Sequence, residues 1–342
     1  MWRGINVWWK AARFHFVPPS FLPAILGGVI AWASEGKFSP WLFSLVVIGV
    51  TTNHLALNMT DDYYDYKHAI DTKGLGNGNP YTGGSGTLTT GLIKPPSMLK
   101  AFTFLYLITI VVGLYLTTLR GWTILAFGLF GMLCSYFYTA PPIKYAYRGL
   151  GEVSLLINFG STIGLGSYYV MAGRLSGEAF WATLPLGVMM FSMITINEVP
   201  DYAEDRRGGK LTLVARFGRE VAIVLYGMGL GLAYFILAGT ALAGWIPRIC
   251  LIGFLPLPLA LRSIRLLLRE YQNPEKLAPA NLDIIKVHNL TGILLILAYG
   301  IYGMGMERPS YPLVIAIAWL VLLYLPVAKV VFQRPATPVE VS

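Results

Sequence analysis

Ten long apolar stretches, each close to the length that crosses a lipid bilayer, decide what this 342-residue chain can fold into. They lie at 18–33, 40–58, 98–119, 121–138, 150–172, 180–198, 220–243, 245–268, 286–305 and 311–332. A helix needs about 20 apolar residues to span the hydrocarbon. Lipid offers no hydrogen bonds to the backbone, so only helices and closed barrels are viable there. A barrel would show alternating segments of about ten residues, whereas these stretches are continuous. The expected fold class is all-α, a polytopic transmembrane helix bundle. Composition agrees: 13% of residues are charged, about half the share of a soluble domain. Pro18, Pro19 and Pro23 in the first stretch, and Pro256 and Pro258 in the eighth, predict kinks. No domain-scale linker interrupts the chain, which reads as one membrane domain over 1–342.

Residues 1–17 are basic and aromatic and lack the apolar core of a signal peptide. They are expected at the interface, with Trp2, Trp8 and Trp9 in the aromatic belt. Cys134 and Cys250 sit inside apolar stretches and read as small buried hydrophobes. The net charge of +9 is spread over short loops with no nucleic-acid motif. No nucleic-acid partner is expected, and basic loops facing an anionic leaflet explain the charge. Of the 26 Lys and Arg residues, only Lys37, Arg120, Arg174, Arg248 and Arg308 fall on the side opposite the N-terminus. The positive-inside rule then places both termini in the cytoplasm. The long connections, 59–97 and 199–219, lie on that same face, where function is expected.

Each of those connections opens with an acidic motif. The first reads Asn58-Met-Thr-Asp61-Asp62-Tyr-Tyr-Asp65, followed by Asp71; the second reads Asn197-Glu198-Val-Pro-Asp201-Tyr-Ala-Glu-Asp205. Spacings of i, i+4, i+7 and i, i+4, i+8 put each set on one helical face, provided the helix runs on past the membrane edge. Carboxylates stacked this way repel one another. A hard divalent cation relieves the repulsion, and Mg²⁺ shares one or two carboxylates with substrate phosphates. Asn58, Asp62, Asp65, Asn197, Asp201 and Asp205 are the candidate metal ligands, the four aspartates being the catalytic candidates for a Mg²⁺–diphosphate. Ordinary solvated helix ends are the alternative, weakened by the pattern occurring twice.

Fixed cations would neutralise a departing diphosphate. The candidates are Lys144 and Arg148 in the 138–152 run, Lys210 after Gly208-Gly209, and Arg13 before the first span. Arg206 and Arg207 read as topology-setting charges. The segment Thr82-Gly-Gly-Ser-Gly86 is either a mobile lid or a flexible turn. His54 and His68 flank the first motif as packing or interfacial residues.

Together these residues resemble the UbiA superfamily of intramembrane prenyltransferases. The resemblance runs over roughly residues 10–305. It rests on Asn58-x3-Asp62-x2-Asp65-x5-Asp71, on the Tyr138-to-Glu152 run with its Pro-Pro-x-Lys144 and Arg148-Gly-Leu-Gly-Glu, and on Asn197-Glu-x2-Asp201-x3-Asp205-x4-Lys210. Arg13 to Gly27 is similar to the family's first helix. The first motif and the Arg-Gly-Leu-Gly-Glu run are most similar to the 1,4-dihydroxy-2-naphthoate polyprenyltransferase branch. The chain departs from the family's usual nine helices by the stretch 311–332, and from its first motif by Asp61 in place of Asn.

The resemblance implies Mg²⁺-dependent transfer of a polyprenyl group from a polyprenyl diphosphate to a dihydroxynaphthoate-like aromatic acceptor, with loss of CO₂. It also implies a UbiA-like core over 18–305 and an integral protein of a bacterial or archaeal cytoplasmic membrane, surrounded by membrane lipid. Tyr63, Tyr64, Tyr138 and Tyr202 are aromatics placed to face an allylic cation, or to act as interfacial anchors. Rival readings are transfer to another acceptor, a terpene cyclase on the same fold, and a transporter. A transport site lies near the bilayer midplane, whereas both motifs sit at helix ends.

Overall fold

The structure, a computed structural model, describes residues 2–70 and 79–332. Asp71, the last carboxylate of the first motif, lies outside the described residues. Thirteen α-helices and no strand occur among the described residues. They are α1 Trp2–Ala11, α2 Pro18–Glu35, α3 Pro40–Lys67, α4 Pro95–Arg120, α5 Trp122–Tyr136, α6 Gly151–Ile157, α7 Ile163–Ala172, α8 Gly177–Gly208, α9 Leu213–Phe217, α10 Arg219–Leu242, α11 Leu257–Glu270, α12 Ala278–Gly305 and α13 Tyr311–Phe332.

Seven helical segments among the described residues are long and apolar enough to cross a membrane: α3, α4, α8, α10, Arg248–Glu270, α12 and Tyr311–Ala328. The other three expected spans are helical but shorter or interrupted. Stretch 18–33 becomes α2 and 121–138 becomes α5. Stretch 150–172 is α6 and α7 joined through a π-helical turn at Asn158–Thr162. Stretch 245–268 opens as a 3₁₀ segment, Arg248–Phe254, and turns α-helical only after Pro256.

α2 occupies the centre. Phe21, Leu22, Ile25, Leu26, Val29 and Ile30 are all fully buried, against α3, α7, α8 and α12. α4 shows the opposite pattern: Phe104, Leu107, Val111 and Leu114 form an exposed stripe at i, i+3, i+7 and i+10. An apolar stripe turned outward is a lipid-facing surface. Small residues let helix backbones approach closely where lipid supplies no hydrophobic drive. At the π turn, a Cβ on Gly187 of α8 would fall 2.3 Å from the Leu156 carbonyl oxygen. That contact presses α6 onto α8.

α3 and α8 position the site. Ser39 and Ser176 cap them, accepting from Leu42 N at 3.5 Å and Ala179 N at 3.3 Å. Pro40 begins α3 where its missing N–H costs nothing. Both helices run past their apolar sections without a break, to Lys67 and Gly208, so each acidic motif is helical. Pro200 lies inside α8, although a helix interior is unfavourable for proline.

Candidate active site

A cavity of about 130 Å³ lies between the ends of α3 and α8. Asn58, Asp61 and Asp65 line it from one side, and Asn197, Glu198, Asp201, Glu204 and Asp205 from the other. The cations on its walls are Arg13 and Lys210. Six carboxyl groups thus face two fixed cations in a largely buried space.

Arg13 is held in a left-handed conformation, φ 46° and ψ 48°, which is costly for any side chain but glycine. Its contacts sustain the conformation: Nη2 lies 2.5 Å from Asp61 Oδ2, Nε 3.7 Å from Asp62 Oδ1, and Nη1 donates to the Gly83 carbonyl at 2.8 Å. Strained backbone held by multiple contacts is typical of functional sites.

Lys210 reaches the cavity because α8 ends on two glycines. Gly209 adopts φ 74° and lets the chain reverse, with Lys210 N donating to the Asp205 carbonyl at 2.8 Å. A Cβ on Gly208 would lie 2.1 Å from Ile70 Cδ1 and displace that side chain. The reversed chain sets Lys210 Nζ 2.5 Å from Asp65 Oδ2 and 3.7 Å from Asp61 Oδ1. Burial disfavours the ammonium, but the Asp61, Asp65 and Asp205 carboxylates overcome it and hold Lys210 well above the ordinary lysine pKa. Tyr147 donates to Asp65 Oδ1 at 2.7 Å. Burial, then the adjacent Asp65, pushes the Tyr147 phenol up and keeps it a donor.

The Gly-rich segment is an ordered strap across the two motifs. Ser85 N donates to both Asp62 carboxylate oxygens at 3.1 Å, and Gly83 N donates to Asp201 Oδ2 at 2.9 Å. Asp62 therefore grips the strap, while Asp61, which the spacing argument set aside, faces the cavity and both cations. Asn58 Nδ2 donates to the Ala12 carbonyl at 2.9 Å. Asn197 Oδ1 accepts from Asn281 Nδ2 of α12 at 2.7 Å. Asn281, 84 positions from Asn197, carries no local sequence signal of this role.

Two expected cations stand apart from the cavity walls. Lys144, also left-handed at φ 45°, donates to His68 Nε2 at 2.7 Å. Burial and Lys144 draw the His68 pKa down, which suits it as the acceptor. Arg148 is exposed and donates to the Pro142 carbonyl at 3.4 Å. Of the four tyrosines singled out, Tyr138 lines the cavity. Tyr63 and Tyr64 pack on each other with centroids 5.3 Å apart, and Tyr202 lies under Arg206 and Arg219. His54, read as a packing residue, also lines the cavity.

A larger apolar groove of about 220 Å³ lies beside this cavity, between α3, α4, α5 and α7. Leu57, Leu155 and Phe159 line both spaces.

Residues 20–290 match the UbiA prenyltransferase family. The chain belongs to the UbiA prenyltransferase family. Its UbiA-type fold is also that of a UbiA homolog from Archaeoglobus fulgidus bound to GPP and Mg²⁺. The TM-score is 0.59 at 15% identity, covering 87% of this chain and 98% of the other. The chain is similar to the 1,4-dihydroxy-2-naphthoate octaprenyltransferase of Bacillus subtilis, 26% identical over 76% of this chain and 81% of the relative. It is 28% identical to the Escherichia coli protein of the same name, over 85% and 94%. UbiA membership and the seven apolar helices make this an integral membrane prenyltransferase.

Proposed function

We propose that this UbiA protein transfers a polyprenyl group from a polyprenyl diphosphate to 1,4-dihydroxy-2-naphthoate, with Mg²⁺ and loss of the acceptor carboxylate as CO₂. The observation that carries the reading is the adjacency of two unlike spaces. A polar cavity walled by two acidic helix ends shares Leu57, Leu155 and Phe159 with an adjoining apolar groove. A diphosphate joined to a long hydrocarbon chain has this same division. The two relatives named for the naphthoate reaction support the acceptor.

The donor set suits Mg²⁺. The cavity offers hard oxygen donors on two facing helices, and Asp61 Oδ1 is buried without a hydrogen-bond partner. Among the described residues no three His, Cys, Asp or Glu side chains converge on one point. That accords with ions held partly by substrate phosphates, since Mg²⁺ takes only one or two carboxylates. Asn58, Asp61, Asp62 and Asp65 of α3, with Asn197, Asp201 and Asp205 of α8, are the donors from which such ions would each draw one or two carboxylates. Bound there, Mg²⁺ supplies positive charge to the diphosphate.

The chain's own residues do the rest. Lys210 and Arg13 add fixed positive charge as the allylic C–O bond breaks and diphosphate leaves. The Tyr138 ring lines the same cavity. The acceptor ring carbon forms the new C–C bond, and its carboxylate departs as CO₂, restoring the aromatic ring. The basic connections support a site on the cytoplasmic face, with both termini on that side.

The test is purified protein in detergent with polyprenyl diphosphate, 1,4-dihydroxy-2-naphthoate and Mg²⁺, read by mass spectrometry with and without EDTA. The expected product is a decarboxylated prenyl-naphthoquinol that EDTA abolishes. A cyclised or eliminated hydrocarbon with the acceptor untouched would replace this reading with a cyclase.

A further inference from the structure

The proposed reaction needs something to orient the acceptor ring, and both carboxylate motifs are committed to the diphosphate end. His54 lies seven residues before Asp61 on α3, about 10 Å deeper at 1.5 Å per residue. Its ring lines the polar cavity, while Ser20 of α2 lines the apolar groove. The two are joined across the boundary by a 2.6 Å hydrogen bond between Ser20 Oγ and His54 Nδ1. His54 also packs edge-on against Phe159, centroids 4.8 Å apart, and Phe159 is one of the three residues shared by both spaces. A ligand lying along the wall that the two spaces share would therefore meet this imidazole.

Resting on the prenyltransferase reading, we propose that His54 is the acceptor-binding group, its imidazole accepting a hydrogen bond from a hydroxyl of the aromatic substrate. Ser20 engages Nδ1 and, with a hydrogen bond from the ring to the Val17 backbone, fixes the ring plane; the ring lines the cavity, where the ligand would meet it. The flanking walls, Leu57 and Phe159, are apolar and suit a flat aromatic ring. Asn53 Oδ1, on the groove side one residue earlier, is buried without a partner. A dihydroxylated ring carries a second donor that such an oxygen can take. The placement also has a chemical consequence. A hydroxyl that donates to a neutral imidazole feeds electron density into its ring, and the ring carbon is the nucleophile. A site built to hydrogen-bond a hydroxyl discriminates strongly against analogues lacking it.

Steady-state kinetics in detergent, varying each substrate in turn, test this. His54→Ala is expected to raise KM for 1,4-dihydroxy-2-naphthoate and to lower kcat/KM for it at least about 30-fold. KM for the polyprenyl diphosphate and the thermal midpoint should stay near wild type. His54→Gln, which keeps an acceptor at this depth, should recover part of the loss, and Ser20→Ala should fall between wild type and His54→Ala. An unchanged acceptor KM in His54→Ala overturns the proposal. So does a loss shared equally by both substrates with a lowered thermal midpoint, because that pattern marks a tether between α2 and α3. A wild-type protein that forms no prenylated product overturns the underlying prenyltransferase reading, a result separable from either of these.

Discussion

Lys210 Nζ lies 2.5 Å from Asp65 Oδ2, an ion pair between residues 145 positions apart that ties the exit of α8 to the exit of α3. It draws the two acidic motifs to one cavity and brings a cation among carboxylates that would otherwise repel. Replacing it with methionine keeps the side-chain length and removes the charge. Lys210→Met is expected to reduce turnover at least about 100-fold, the scale of losing one charge-stabilising donor. The pH dependence has a definite sign. Its folded pKa is raised above the unfolded value, so its stabilisation is fully present below about 10.4. It is lost only as pH rises through the raised folded pKa. Thermal midpoints recorded from pH 6 to 9 should therefore show a constant gap between Lys210→Met and wild type.

Asp62 and Asp201 each accept backbone N–H groups from the strap and belong to opposite motifs. Asp62→Ala and Asp201→Ala should each lower prenyl transfer by three orders of magnitude or more while the helices remain folded. Circular dichroism beside the product assay checks both halves of that statement. Full activity in either variant would remove that residue from the metal-binding set.

Gly83 and Ser85 donate to carboxylates that a Mg²⁺–diphosphate would also claim. Binding of Mg²⁺ with a non-hydrolysable prenyl diphosphate analogue should therefore alter the exchange of these amides. Hydrogen exchange read by mass spectrometry is expected to change in the peptide covering 82–86 and to stay constant in the buried middle of α2. An unchanged strap would mean that its amides keep their carboxylates when substrate binds.

Gly187 is where α8 touches α6. Its Cβ position lies 2.3 Å from the Leu156 carbonyl oxygen and 3.1 Å from Gly160 Cα. The obstacle is backbone, which cannot rotate away. Gly187→Val should destabilise the bundle by about 1–3 kcal/mol through overpacking. The measurement is the thermal midpoint in detergent, and activity should fall with it, because α8 carries the second motif.

Much of this protein is legible along the chain. Apolar length predicts the bundle, and each of the ten stretches falls on helix. The repeated Asn–Asp–Asp spacing predicts two helical carboxylate faces, and α3 and α8 do run through them. The Gly208-Gly209 step marks Lys210 as a residue at a chain reversal, and the reversal delivers it to the cavity. These features are readable because helix periodicity, bilayer thickness and capping are local rules, fixed by residues within a turn or two.

The remaining features depend on which helices pack together. Asp61 and Asp62 are adjacent and chemically identical; the arrival of Arg13 and the strap decides that one faces the cavity and the other holds Ser85. Lys144 and Arg148 sit in the same run as Tyr147, yet only Tyr147 reaches an acidic motif, because the loop turns its charges toward His68 and the solvent. Asn281 and His54 gain their roles from partners on other helices. By itself the sequence determined the helices, their apolar faces and the carboxylate spacing. The tertiary structure decided which carboxylates share a cavity and which polar groups meet there, since contacts between distant segments are set by the packing of whole helices.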